Sequence, residues 1–510
     1  MCYSAHMIKP TKIEATLLHL LNEQMAQNKA QIEQNKQLRA QLAQLQHQLA
    51  MLQSMIFGQK SEKRRGKLPA LPEVTESNPA TTPNPIDEKP RDNNRNGRRQ
   101  LPLNLERQKI RYEIPESERH CPRCQYGLHC IGKEVTEQLD MIPAKLIAKE
   151  HIRYKYGCRG CKQYVITAPM PEQPIDKGLA GPGLLADILI SKYQDSLPLY
   201  RQQMRFARLG YELPRSTLCD WVMQSATRLK PIVDAMTTSL LMPARKIHTD
   251  DTTFPILAEG KTHTGRLWVY VGQADNAPPC AIYQYSKTRS QQVPMQFFKN
   301  YHGYLQADAY PGYDKLFADE KIIEVACFAH ARRKFADIIK TVKEPSLANQ
   351  AIEFIGLLYD IERRSKIMTV IERYHYRRRF AKPILKDFRR WLCLQNKTAP
   401  PKTPLGQAVQ YCLNHWRALN NYLLDGVLDI DNNRAERAIK PFVIGRKNFL
   451  FAGSHFGAEQ AAVIYSLIES CKMMNINTFD YFRDVLARLP TTLYKNISDL
   501  FPCYWKPCYS

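Results

Sequence analysis

The chain has 510 residues, 44% of them apolar, too many for one core, so about three or four units are expected. Lys and Arg total 73 against 49 Asp and Glu, a formal charge of +24, which points to a polyanionic partner; the bland alternative is a basic, uncommitted surface. No apolar run of about 18 residues occurs and MCYSAHMIKP lacks the apolar core of a signal peptide, so membrane-spanning and secreted classes are excluded and a cytoplasmic chain is expected.

Residues 11–57 are rich in Gln and Leu, and Leu38, Leu42, Leu45, Leu49, Leu52 and Ile56 are spaced 4-3-4-3-4. That is the seam of a dimerising coiled coil; a lone amphipathic helix is the other reading. Residues 58–105 start basic (FGQKSEKRRG) and turn rich in Pro, Asn and Thr, which predicts a flexible linker.

A zinc-binding module is expected over 106–172. The pairs Cys121-Pro-Arg-Cys124 and Cys158-Arg-Gly-Cys161 have 33 residues between them, and four thiolates can close tetrahedrally on one structural Zn²⁺. The intervening segment alternates like a small β-ribbon, and His120, His129, Cys130 and His151 are rival ligands. The other cysteines of the 14 are scattered, as suits a reducing compartment.

Residues 173–240 read as helical. LPLYRQQMRFARLG, the turn YELP and RSTLCDWVMQSATRL fit a helix-turn-helix, or equally an ordinary helical hairpin. In the first case Arg215, Ser216 and Thr217 open the recognition helix and face phosphates or base edges.

From 244 the pattern changes to short strands: KIHTDDTTFPIL, RLWVYVGQ and CAIYQYS, then a helix, GYLQADAY, a short helix and IIEVACF. They predict a mixed sheet with helices on both faces, the first part of a core over 244–344. A helical insertion is expected over 345–428, the core's second part over 429–478, and a C-terminal helix and tail over 479–510. Asp250 lies on the first strand, Asp308 at the end of the fourth, and Glu436 on a helix beginning near Asp431-Asn432-Asn433. In a sheet of the ribonuclease-H type the first and fourth strands are neighbours, so these carboxylates converge, as in Asp-Asp-Glu strand-transfer enzymes. The fold class expected is therefore multidomain α/β: a ribonuclease-H-like core with a helical insertion, preceded by the coil, the zinc module and the helix-turn-helix.

The blocks FGQKSEK, CPRC with GCRGC, LPLYRQ, HTDDT, ADAYPGY, CFAHARRKF, DNNRAERAIKP and GRKNFLFAGS follow in an order that resembles transposases of the insertion sequence 66 family over nearly the whole chain. The resemblance implies that Asp250, Asp308 and Glu436 hold two Mg²⁺ (or Mn²⁺) ions, one activating water or a DNA 3′-hydroxyl and the other stabilising the leaving oxygen. It implies nicking of element ends and joining to target DNA, with DNA (terminal inverted repeats and target) as partner and companion proteins of the element. One departure is Asp251, where the family usually has Glu; Asp250 matches the family's first acid, and Asp251 remains a neighbouring candidate, as do Asp314, Asp429 and Asp431.

Around these acids, His330, Arg332, Arg333 and Lys334, with Arg437, Lys440, Arg446 and Lys447, can neutralise phosphates, although Glu436 and Lys440 are also placed to pair along a helix. His248 either orients a ligand or is a buried, hydrogen-bonded core histidine. The basic 363–390 segment reads as well as a solvated helix face. Two rival functions stay open: a nuclease of the same fold without strand transfer, and a catalytically silent DNA-binding regulator.

Overall fold

A computed structural model describes residues 145–157 and 165–507, apart from 177, 259–260, 275–276, 319 and 342–345, with a few single residues earlier. The chain divides into two compact units, residues 61–151 and the remainder; the account below concerns the second, from Ile152 on. The segments expected as coil and linker, and Cys121, Cys124, Cys158 and Cys161, lie outside the described residues. Of the 106–172 segment, β1 (Lys155–Gly157) and β2 (Val165–Thr167) form an antiparallel hairpin with Tyr156 opposite Ile166.

Three helices follow: α1 (Pro182–Tyr193), α2 (Leu199–Arg208) and α3 (Arg215–Met236). Gly210, at φ 89°, takes the chain out of α2 in a conformation that costs a residue without Cβ little. Buried Gln202 ties α2 back to α1 by donating to the Ile188 and Leu197 carbonyls at 3.3 and 3.0 Å. Arg215 and Ser216 are exposed and Thr217 half-buried at the start of α3.

The sheet contains β3 (Lys246–Ala258), β4 (Lys261–Gly272), β5 (Cys280–Ser286), β6 (Gly303–Ala307) and β7 (Ile322–Ala326) in the order β5-β4-β3-β6-β7. The first three strands are antiparallel, and β6 and β7 join β3 in parallel. The strand carrying Asp250 therefore neighbours the one that runs into Asp308. Strand β4 begins earlier than the apolar run RLWVYVG suggests, because its exposed first residues continue the hairpin with β3 as far as Lys261 opposite Ala258.

Alternation along β3 sends even-numbered side chains to one face and odd-numbered ones to the other. On the even face Phe254 packs edge-on against Phe442 of α10 (Asn433–Phe449), with ring centroids 4.6 Å apart. On the odd face the β4 aromatics Trp268 and Tyr270 pack on Tyr313 and on Phe297, which belongs to α4 (Gln292–Phe297). Edge strand β5 is covered by α11 (His455–Met473), whose Ser466 and Ser470 hydroxyls accept the Tyr283 and Ala281 N–H groups at 2.8 and 3.1 Å. Those bonds leave no edge open for a stray strand there.

Past β7 come α5 (Phe328–Thr341), then α6 (Leu347–Arg364), α7 (Val370–Thr398), α8 (Pro404–Asn414) and α9 (Trp416–Asn420). Their core includes Phe335, Ile355, Leu385, Phe388 and Val409, continuous with Val325 of β7. Ser346 with Asn349 and Thr369 with Glu372 form capping boxes that start α6 and α7 by satisfying first-turn N–H groups. Arg377 of α7, 1% exposed, is bidentate to Glu362 of α6 (2.8 and 2.5 Å) and donates to the carbonyls of Tyr422, Asp425 and Leu428. This guanidinium anchors the chain that leads back to α10. The last helix, α12 (Thr478–Arg488), is held to the C-terminal segment by Trp505 Nε1 donating to Asp484 at 2.7 Å.

Candidate active site

The parallel register of β3 with β6 ends at His248 opposite Gln306; carried two residues further, it brings Asp250 level with Asp308. Strand β6 stops at Ala307 because Ala309 adopts φ 63° and Pro311 follows, leaving Asp308 just beyond the strand. Glu436 projects from the first turn of α10, the helix that packs on the even face of β3, to which Asp250 belongs.

Burial pushes the Asp250 carboxyl up to about 7, and the Asp308, Asp251 and Glu436 carboxylates push it the same way against a 2.9 Å hydrogen bond from the Asp251 N–H. Glu436 lies 3.4 Å from Arg333 and 3.6 Å from His330 Nε2, and its Oε1 is buried without a hydrogen-bond partner. Burial holds His330 below the usual imidazole range against the pull of Glu436. Oxygen donors that repel one another and include an orphaned carboxylate oxygen fit a hard divalent cation.

A second donor set overlaps this one: among the described residues, Cys327, His330 and Glu436 bring ligand atoms within 4.8 Å of each other. The Cys327 thiol is fully buried, accepts the Asn432 N–H at 3.1 Å, and is pushed by burial up to about 12. That hydrogen bond joins the residue before α5 to the residue before α10.

Asp251 points to the odd face. Its side chain, 3% exposed, pairs with Arg266 at 3.1 Å and with Arg289 at 2.8 Å. Asp429 binds Lys246 (2.6 Å), His248 (3.0 Å) and Arg434 (3.2 Å). Burial opposes its ionisation, but the His248 hydrogen bond and the Lys246 charge prevail and hold the carboxyl far below its usual range. His248 is buried, with Nδ1 3.1 Å from the Asn432 amide oxygen, so it is a bonded core histidine. Asn432 occupies the position before α10 but spends its side chain on His248 and the Thr249 carbonyl; Asp431 accepts the Asn433 N–H at 3.1 Å instead. Asp314 is exposed.

Arg333 and Lys334 on α5, and Arg437, Lys440 and Lys447 on α10, are exposed, with Arg332 half-buried. Among the described residues Glu436 pairs with α5 rather than with Lys440. Arg446 turns inward, its Nη1 donating to the Thr252 and Thr253 hydroxyls (3.2 and 2.7 Å) and the Thr253 carbonyl. Sequence reasoning missed Arg289 and Arg266; the only signals were a basic residue shortly after one predicted strand and another at the start of the strand RLWVYVGQ.

The family description "Transposase IS66 family" matches residues 177–460, more than half the chain. The chain belongs to the IS66 transposase family. A "zinc-finger binding domain of transposase IS66" matches 118–162, an "IS66 C-terminal element" 466–503, and a "Transposase C of IS166 homeodomain" 44–110. The uncharacterized proteins y4hP and y4jD of Sinorhizobium fredii (strain NBRC 101917 / NGR234) are each 34% identical over 80% of this chain, covering 77% and 81% of their own lengths. Protein y4qI of the same organism is 31% identical over 74% of the chain and 72% of itself. Family membership supports a transposase that handles DNA, with a zinc-binding segment and a divalent-metal site. Among the described residues no helix is long and apolar enough to cross a membrane.

Proposed function

We propose that this IS66-family transposase nicks the ends of its element and joins them to target DNA at a site of Asp250, Asp308 and Glu436, on a core of the ribonuclease-H type. The proposal is carried by geometry: the β3–β6 register, continued two residues, brings Asp250 level with Asp308, and Glu436 stands in the first turn of the helix packed on the face of β3 that Asp250 shares. Acids from three elements directed to one end of a sheet are a poor structural device and can supply oxygen donors to a hard cation. Bound there, Mg²⁺ or Mn²⁺ would polarise the phosphoryl group and favour an oxygen nucleophile at neutral pH.

The chain's own residues do the rest. Asp250, Asp308 and Glu436 provide oxygen donors from three separate elements. His330 and Arg333 hold the Glu436 carboxylate. Exposed Arg333, Lys334, Arg437 and Lys440 meet phosphates on either side, and Arg215, Ser216 and Thr217 at the start of α3 meet DNA at a distance from the chemistry. Cys121, Cys124, Cys158 and Cys161 would hold one structural Zn²⁺, and residues 11–57 would pair protomers.

The test is cleavage and joining of labelled element-end DNA by purified protein with Mg²⁺, beside Asp250→Ala, Asp308→Ala and Glu436→Ala. Joined product from wild type alone, with all three variants still binding DNA, supports the proposal. Cutting without joining favours the nuclease. Tight binding with neither Mg²⁺- nor Mn²⁺-dependent chemistry favours the regulator.

A further inference from the structure

The residue next to the first acid does a different job. Asp251, buried on the odd face of β3, accepts Arg289 Nε at 3.1 Å on both of its oxygens and Arg289 Nη2 at 2.8 Å, with Arg266 Nη1 at 3.1 Å. Arg289 in turn stacks its guanidinium 3.7 Å over the Tyr310 ring, and the Tyr310 hydroxyl donates to the Arg289 carbonyl at 2.6 Å. Arg289 and Tyr310 are thus tied twice, once by cation–π contact and once by a hydrogen bond.

Tyr310 stands two residues past Asp308, and the residue between them, Ala309, is in the left-handed region at φ 63°, where an L-residue with a Cβ needs outside support. A Cβ at Gly312 would meet the Tyr310 ring at 2.1 Å, so the chain has also made room for the ring to fold back over this turn. The turn that sets the direction of Asp308 is therefore held from the reverse side of the sheet, by the neighbour of Asp250.

We propose that Asp251, Arg289 and Tyr310 form a positioning clamp that sets the Asp308 carboxylate relative to Asp250. The clamp spans the gap between β3 and the turn after β6, and at its β3 end the Asp251 N–H also donates to the Asp250 carboxylate at 2.9 Å. A buried charge cluster contributes little net stability, whereas the planar fork of a bidentate arginine fixes geometry closely. Lysine at 289 would keep the charge but lose both the fork and the stacking. The proposal rests on the reading of Asp250 and Asp308 as cation ligands.

The experiment is Mn²⁺ binding to the full chain by calorimetry, which does not depend on catalysis, with the thermal midpoint recorded for every variant. Arg289→Lys, Tyr310→Leu and Asp251→Asn should weaken the Mn²⁺ isotherm about tenfold while holding the midpoint within a few degrees; Tyr310→Phe, which keeps the ring, should weaken it about threefold. Asp251→Glu, which restores a longer carboxylate to the same arginine, should recover most of the affinity lost in Asp251→Asn. Mn²⁺ affinity within twofold of wild type in folded Arg289→Lys and Tyr310→Phe overturns the clamp. If Asp308→Ala binds Mn²⁺ as wild type does, the ligand reading itself has failed, and the clamp has no ligand to position.

Discussion

Replacing Asp250 with Asn should stabilise the metal-free protein, and the structure sets both the size and the pH window of the gain. The folded carboxyl is raised to about 7 from its ordinary value of 3.8; at about 1.36 kcal/mol per pKa unit the ionised group costs the fold at most about 4 kcal/mol. Solvent on the open side of the site screens part of this, so about 2 kcal/mol is expected. The folded chain holds this proton more tightly than the unfolded chain, so the wild type loses stability as pH rises from about 4 to 7. Asn carries no charge and escapes that loss. Urea unfolding without divalent ions should show the variant ahead of wild type at pH 8, with that lead shrinking to less than half at pH 5. Added Mn²⁺ should then stabilise wild type and leave the variant nearly unmoved. A variant no more stable than wild type at pH 8, or a gap of equal size at both pH values, would refute the reasoning that crowded carboxylates strain this site.

Asp429→Asn should cost about 3 kcal/mol, because it leaves Lys246 and His248 facing a neutral partner in a largely buried place. The Asp429 carboxyl is lowered in the folded chain, so its contribution is present above the unfolded value of 3.8 and lost as pH falls below it. The thermal midpoint of the variant should accordingly fall less than that of wild type as pH is lowered below about 4. Arg377→Met should cost about 3–5 kcal/mol in urea unfolding, since Glu362 is left buried without its partner, and the double variant Arg377→Met/Glu362→Leu should regain part of it. End-DNA binding measured across a salt series should give a log–log slope near −5 if about six phosphates are neutralised; a flat dependence would remove the basic faces of α5 and α10 from the interface.

Strands of the core were legible because period-2 apolar runs are local signals: KIHTDDTTFPIL and CAIYQYS lie within the strands they suggested. Choosing between Asp250 and Asp251 was not a local problem. Alternation says only that adjacent residues face opposite sides, and which side holds the other acids depends on Glu436, far along the chain, and on Arg289. Distance in sequence likewise hid the inward turn of Arg446 onto β3, which reads in sequence like any other cation near Glu436. Asn432 stands just before α10, yet its amide is held by His248 and the Thr249 carbonyl, a demand that no local pattern encodes.

Repelling carboxylates relax by moving apart unless the elements that carry them are tied together, and one residue ties all three here. Asp429 binds Lys246 and His248 of β3 through its carboxylate and Arg434 of α10 through the same oxygen. Its carbonyl accepts Gln306 of β6 at 2.7 Å. The strand of Asp250, the strand leading to Asp308 and the helix of Glu436 thus meet at a single anion whose own ionisation is secured by three cationic or hydrogen-bonding partners. Such an anchor explains how the three elements that carry the acids are held to one another. It also separates two kinds of acid that look alike in sequence: Asp429 is held ionised by protein partners, whereas Asp250 has carboxylates for neighbours and only a backbone N–H to favour its charge.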